Sequence, residues 1–332
     1  MNYSKWYFFL VVIFLSELAS AQQLPLFSQY RENHALLNPA ITHADYVALS
    51  YKPNNTIGLS YRYQWQGIKD APKTFTARYE RIFNKENFIL GGGFMKDETG
   101  PTGVTGGYLR YAYMLRFSRT NFLTLGTNLH FQQSRFQSSR GVLADLGDDL
   151  GMSDLNNFQG NASIGAYYQS EFPSTVDIFY TGLSILRIGT VHFSSNDFRP
   201  SNTPHFYFLG GIYKYLGDGF GNLEGELFIE PSVWVKYVPN TPIQLDANFR
   251  FQMASLFWIG TGYSVAFANY DKIDGSFRGN NFVFEFGITL GESLGFDYAQ
   301  MKIGYSYGRS ITTFGPNLGN THELNVTYSW KD

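Results

Sequence analysis

From about Thr56 onward the chain alternates apolar and polar residues with a period of two, the pattern of a strand with one apolar face. Ile57, Leu59, Tyr61, Tyr63 and Trp65 share one face, and Gly58, Ser60, Arg62, Gln64 and Gln66 the other. The alternation recurs at Leu123, Leu125, Leu129 and Phe131, at Ile243 through Phe251, and at Phe282 through Leu290. These stretches run 10 to 14 residues, about twice the mean strand of soluble proteins. A strand tilted about 45° needs about 9–11 residues to cross the hydrocarbon core of a membrane. Fourteen such strands are expected, over 55–66, 73–83, 87–97, 103–117, 120–132, 158–170, 175–187, 204–216, 223–237, 242–254, 256–268, 281–291, 296–308 and 321–331.

The connections separate a membrane barrel from a soluble sandwich. Those after even-numbered strands are short, as at 84–86, 118–119 and 171–174. Every long one follows an odd-numbered strand: 133–157, 188–203, 269–280 and 309–320. Bacterial outer-membrane barrels have an even strand number, short periplasmic turns and long extracellular loops. The expected fold is therefore an all-β, antiparallel transmembrane barrel of 14 strands over residues 55–332, with both termini periplasmic. Tyr63, Trp65, Tyr113, Tyr215, Trp234, Tyr307 and Trp330 lie near segment ends, where interfacial girdles are expected.

Composition then narrows the class. Aromatics make up 18% and charged residues 16% of the 332 residues, with 34 Gly and no Cys. Aromatics this frequent argue against disorder, and the lack of Cys removes disulfide scaffolds and thiol chemistry. A net charge of −2 offers no broad basic surface for nucleic acid. The longest apolar run, Trp6–Leu15, is too short to span a bilayer. With Lys5 before it and Ala19-Ser20-Ala21 after it, residues 1–21 read as a secretory signal peptide. Residues 22–54 then form an N-terminal arm, periplasmic or plugging the lumen, in which Tyr46–Tyr51 is a strand-like run that the barrel count leaves over.

The inward face carries Arg62, Arg78, Arg110, Arg116, Lys236, Arg250 and Lys302 against Glu80, Glu224, Glu226, Glu230, Asp246, Glu285 and Glu323. Seven charges of each sign suit an ion-paired, filled interior better than a selectivity lining, which tends to one sign. Catalytic and metal signals are weak. Gly291-Glu292-Ser293-Leu294-Gly295 matches G-x-S-x-G, but a strand is expected after it instead of the helix a nucleophile elbow needs. Gly217–Gly221 reads as a glycine-rich turn, not a phosphate cradle, because no helix follows. The six His residues show no metal-ligand spacing, and Asp145, Asp148, Asp149 and Asp154 read as a solvated acidic loop. No cofactor, metal or enzymatic activity is expected.

Short motifs add what periodicity cannot. The arm carries Phe27-Ser28-Gln29-Tyr30 and Leu37-Asn38-Pro39-Ala40; further on come Gln64-Trp65-Gln66-Gly67 and Ala71-Pro72-Lys73-Thr74. Gly91-Gly92-Gly93, Asp97-Glu98-Thr99-Gly100, Glu230-Pro231-Ser232, Tyr305-Ser306-Tyr307 and His322-Glu323-Leu324 follow in order. Over essentially the whole mature chain this set resembles the PorP/SprF family of Bacteroidetes outer-membrane proteins. The resemblance implies a place in the type IX secretion and gliding machinery. It implies as partners outer-membrane lipid, the C-terminal sorting domain of a secreted adhesin or other type IX cargo, and periplasmic ring proteins. Under that reading Phe27, Ser28, Gln29, Tyr30, Asn38, Pro39, Gln64, Trp65, Gly67 and Pro72 are motif residues. Phe193, Phe198 and Phe314 are candidate aromatic anchors on the extracellular loops. The alternative is a diffusion channel or hydrophobic-solute transporter of the outer membrane.

Overall fold

The computed structural model describes residues 27–42, 53–118, 120–138, 154–172, 175, 177–194, 198, 200, 203–220, 223–253, 256–267, 281–291, 298–311 and 319–331. The expected signal peptide, the run Tyr46–Tyr51, Ser293 and Phe314 lie outside these residues. The strands are β1 (Asn55–Tyr63), β2 (Lys73–Phe83), β3 (Phe88–Thr99), β4 (Thr102–Arg116), β5 (Asn121–Phe136), β6 (Leu155–Phe172) and β7 (Asp177–His192). They continue with β8 (His205–Phe220), β9 (Leu223–Tyr237), β10 (Ile243–Met253), β11 (Phe257–Phe267), β12 (Asn281–Leu290), β13 (Ala299–Ser310) and β14 (Asn320–Trp330). Each pairs antiparallel with its sequence neighbours, and β1 pairs with β14, from Asn55↔Trp330 to Tyr63↔His322. Closure leaves no strand edge, as backbone groups surrounded by lipid require.

Two faces with opposite chemistry follow from the alternation. On β1, Ile57, Leu59 and Tyr61 point out while Thr56, Ser60 and Arg62 are buried. On β14, Leu324 and Tyr328 point out while Thr321, Glu323, Asn325, Thr327 and Ser329 are buried. A polar residue can be buried on the inner face only if the lumen is filled, and here it is.

The strand ends depart from the periodicity in an interpretable way. β5 continues to Phe136, β6 starts at Leu155 and β7 reaches His192. Their added residues, such as Gln133, Ser134, Arg135, Asn156 and Asn157, are polar on both faces, so alternation could not mark them. The glycine-rich stretch assigned to a turn is instead a bulged continuation of β8. Gly217 and Gly219 take φ of +135° and +91°, and the β8–β9 register shifts beside both. Trp234 corrects the aromatic girdle: it is buried on the inner face among arm and wall aromatics, in step with Glu230 and Lys236.

Candidate functional site: the lumen and the arm inside it

Arm residues Phe27–Thr42 lie within the barrel, and Gln29, Arg31, Asn33, His34, Ala35, Asn38 and Ala40 are all buried. Local sequence sets their shape. Backbone turns close at Glu32 N–Gln29 O (3.1 Å) and Asn33 N–Tyr30 O (3.2 Å). A single helical turn, α1 (His34–Leu37), follows. Pro39 stops it, because a residue before proline is pushed to extended backbone, and Asn38 sits at φ −151°, ψ 113°. The Asn38 side chain then works in both directions. Its Oδ1 accepts from Ala40 N at 2.9 Å, and its Nδ2 donates to the carbonyls of Ala166 (3.2 Å) and Leu183 (3.1 Å) on β6 and β7. It reaches those carbonyls because the adjacent wall residue is Gly165, where a Cβ would overlap Asn38 Oδ1.

One side of the arm is apolar. Phe27, Tyr30, Leu37, Ala40 and Ile41 pack with Tyr167, Tyr180, Tyr207, Leu209, Tyr213, Phe228 and Trp234 on β6 to β9. Tyr30 lies 5.4 Å from Trp234, centroid to centroid, and its hydroxyl shares a 2.6 Å hydrogen bond with Ser232. The other side is ionic. Arg31 Nε donates to Glu230 at 2.7 Å, its Nη2 to Ser232 at 3.2 Å, and its Nη1 lies 3.6 Å from Glu285. Burial alone would lower the Arg31 pKa, but the Glu230 carboxylate and its neighbours outweigh it and hold the pKa well above the ordinary range. Arg31 is therefore a fixed charge. Glu32 pairs with Arg78 at 3.4 Å, and His34 Nε2 lies 3.2 Å from Glu80, which also pairs with Arg110. Arg110 in turn donates to the carbonyls of Pro39 (2.8 Å) and Ile41.

The remaining wall charges pair among themselves. Arg250 donates to Glu285 at 2.9 Å, Lys236 pairs with Asp246, and Arg62 lies 3.7 Å from Glu323. Glu323 accepts the backbone N–H groups of Ser28 (2.7 Å) and Gln29 (3.3 Å). Lys302 is buried with its ammonium 6.0 Å above the Trp258 ring. Arg116 differs from the set: it is exposed, beyond the lumen, and donates to Asn87 at 2.6 Å. Glu226 is only half-buried, and the Glu224 side chain lies outside those described. Between Phe27, Leu36 and Leu37 and the facing strands is a cavity of about 30 Å³, bordered by His130, Asn161 and Arg187. That is room for a water molecule but not for an organic solute.

The structure brings the first two motifs together and leaves the others apart. Phe27, Ser28, Gln29, Tyr30, Asn38 and Pro39 all contact the lumen wall. Gln64, Trp65, Gly67 and Pro72 instead form the β1–β2 connection, at the barrel end opposite Asn55 and Trp330. There Gln64 N donates to Pro72 O (2.9 Å) and Gln66 N to Asn320 O (2.8 Å), with Trp65 and Gly67 at φ +57° and +110°. Phe193 is 56% exposed and packs tilted against Phe158, centroids 5.5 Å apart, at that same end, while Phe198 is half-buried. Sequence reasoning missed Arg31, Glu32, Asn33 and His34. The available signal was a run of four polar residues set between two motifs in the otherwise uncharged stretch Phe27–Thr42. Among the described residues no group of three or more His, Asp or Glu side chains is placed to hold a metal.

Comparison with known proteins places this architecture. The family model for the type IX secretion system membrane protein PorP/SprF matches residues 19–328. The chain belongs to the PorP/SprF family. Its members are outer-membrane proteins of the type IX secretion system, a class of secretion barrel and not a class of enzyme. No curated protein matches the sequence. Among solved structures, this PorP/SprF barrel is similar to a Pseudomonas aeruginosa FadL homologue, with 10% identity, TM-score 0.50, and 95% of this chain and 96% of that one covered. It is also similar to the CymD monoaromatic hydrocarbon channel, with 9% identity, TM-score 0.51, and coverage of 92% and 99%. At these identities the likeness is one of fold: a closed β-barrel of the bacterial outer membrane.

Proposed function

We propose that this PorP/SprF protein is a plugged, non-enzymatic barrel that secretes or anchors the C-terminal sorting domain of a type IX cargo protein at the cell surface. The observation that carries the reading is the filled lumen. A barrel whose interior holds its own arm, with a cavity of only about 30 Å³ where Leu36 and Leu37 face His130 and Arg187, works as a docking body and not as a conduit. In this reading both termini are periplasmic, residues 1–21 are removed on export, and the opposite rim faces outward. Phe193, Phe198 and Phe314 would present aromatic anchors to the cargo there. Affinity purification of the protein from native outer membranes is expected to retain an adhesin or other sorting-domain protein. Recovery of the barrel with no cargo and no type IX component would refute the assignment.

A diffusion channel or hydrophobic-solute transporter is the competing reading, supported by the shared fold with a hydrocarbon channel. Planar bilayers separate the two. The intact protein is expected to be silent, and a form lacking residues 27–42 to conduct. Steady conductance by the intact barrel would favour the channel.

A further inference from the structure

β1 and β14 are the one pair of barrel neighbours not consecutive in sequence, so no hairpin turn holds them together. Four inward rungs cross this seam, each taking one residue from β2, β1 and β14. They are Glu80–Thr56–Ser329, Arg78–Gly58–Thr327, Thr76–Ser60–Asn325 and Thr74–Arg62–Glu323. The arm bonds to every one. His34 meets Glu80 at 3.2 Å. Arg78 donates to the Glu32 carbonyl at 2.6 Å, and Thr327 Oγ1 donates to the Glu32 carboxylate at 2.8 Å. Asn33 donates to Ser60 at 3.3 Å and accepts from Thr76 at 2.8 Å. Ser28 and Gln29 donate their backbone N–H groups to Glu323.

Gly58 makes the central rung possible. Arg78 starts on β2 and lies across β1 to approach Thr327 on β14 at 3.4 Å. A Cβ at Gly58 would stand 2.7 Å from Arg78 Nε, so a side chain there pushes the guanidinium off this path. Glu32 thus ties together the two strands flanking β1, from inside, across the barrel's only untethered joint.

We propose that the arm is a latch for the β1–β14 seam: seating the arm and closing the seam are one two-state event, and withdrawing the arm frees the seam to part toward lipid. The latch is independent of which cargo the protein holds, and its failure leaves the secretion reading intact.

Hydrogen exchange of the full-length protein in vesicles tests it. Glu32→Gln and Gly58→Leu are each expected to speed exchange about tenfold or more in β1 (57–62) and β14 (323–328), because buried, charge-assisted bonds across the seam are lost. The β10 segment 243–246, whose Asp246 pairs within the wall with Lys236, should not change. The chain has no Cys, so Leu59→Cys with Val326→Cys, paired on the outer face, makes a unique seam lock. Oxidising it in the Glu32→Gln background should restore protection of β1 and β14 and, because the coupling is reciprocal, of the arm as well. Asn33→Ala, which removes only neutral bonds, should give the same pattern at smaller size if the stronger variants do not insert. Faster exchange of the arm with a fully protected seam, or an equal rise in β10, would overturn the coupling.

Discussion

Arg31→Met is the sharpest test of how the lumen is held. Methionine keeps much of the side-chain length and removes the charge. The variant loses the 2.7 Å pair with Glu230, the 3.2 Å bond to Ser232, and the guanidinium stacked 4.5 Å over Tyr30. Glu285 keeps Arg250 at 2.9 Å. Glu230, only 1% exposed, is left with the Tyr180 hydroxyl. Breaking a buried pair on one side costs about 3–5 kcal/mol, because the other charge stays buried without compensation. Removing both charges with Arg31→Met/Glu230→Gln should recover much of that loss, giving a coupling of about 2 kcal/mol or more. Urea unfolding of the barrel in vesicles, followed as a double-mutant cycle, reads these values. The linkage sign is also fixed. Arg31 has its pKa raised above an already strongly basic ordinary value, so its contribution is complete through the neutral and mildly alkaline range and is lost only far above it. The gap between wild type and Arg31→Met should therefore be flat from about pH 7 to 10. Additive single-variant costs, or a gap that closes within that range, would refute the ion-pair account.

Three further outcomes follow from the wall itself. Phe249→Arg places a charge on the lipid face of β10, where Phe249 is 45% exposed, and should cost about 2–4 kcal/mol. Asn248→Ser, one residue away on the inner face, should cost under about 1 kcal/mol in the same titration. Gly165→Val puts side-chain atoms where Asn38 Oδ1 lies, so limited proteolysis should cut the arm faster while the barrel band in gels stays intact. Cleavage at the wild-type rate would mean that Asn38 does not fix the arm to β6.

The barrel was legible because lipid imposes one chemistry on alternate residues. All fourteen expected strands form; β1 stops at Tyr63, short of the expected Gln64–Gln66, because Trp65 turns to φ +57°, and the other poorly placed ends are chiefly those where the walls of β5 to β8 outrun the alternation. The arm was not legible for a different reason. Its conformation is fixed by partners 27 to 295 residues away, from Asn33 with Ser60 to Glu32 with Thr327, and no local window contains them. The inner charges show the same limit. The balance of signs announced pairing, but Glu230 and Arg78 find their counterions on the arm, at Arg31 and Glu32. Trp234 was misplaced because an aromatic near a strand end fits a girdle as readily as an inner wall. Its step with Glu230 and Lys236 was the cue that decided it.

The enclosure of the arm also sets an order of assembly. Ser28 bonds to Glu323 across 295 residues, so the first described part of the chain is sealed in by its final strand. Threading a segment with four charged or polar side chains through a finished barrel would strip their water before any partner was met. The cheaper route has the arm lying on an open, curved sheet, with β14 arriving last to meet β1 over it. Contacts of such sequence separation close late and slowly. Changes to Glu32 or Asn33 should therefore delay maturation of the barrel, a kinetic signature that a passive plug inserted afterwards would not leave.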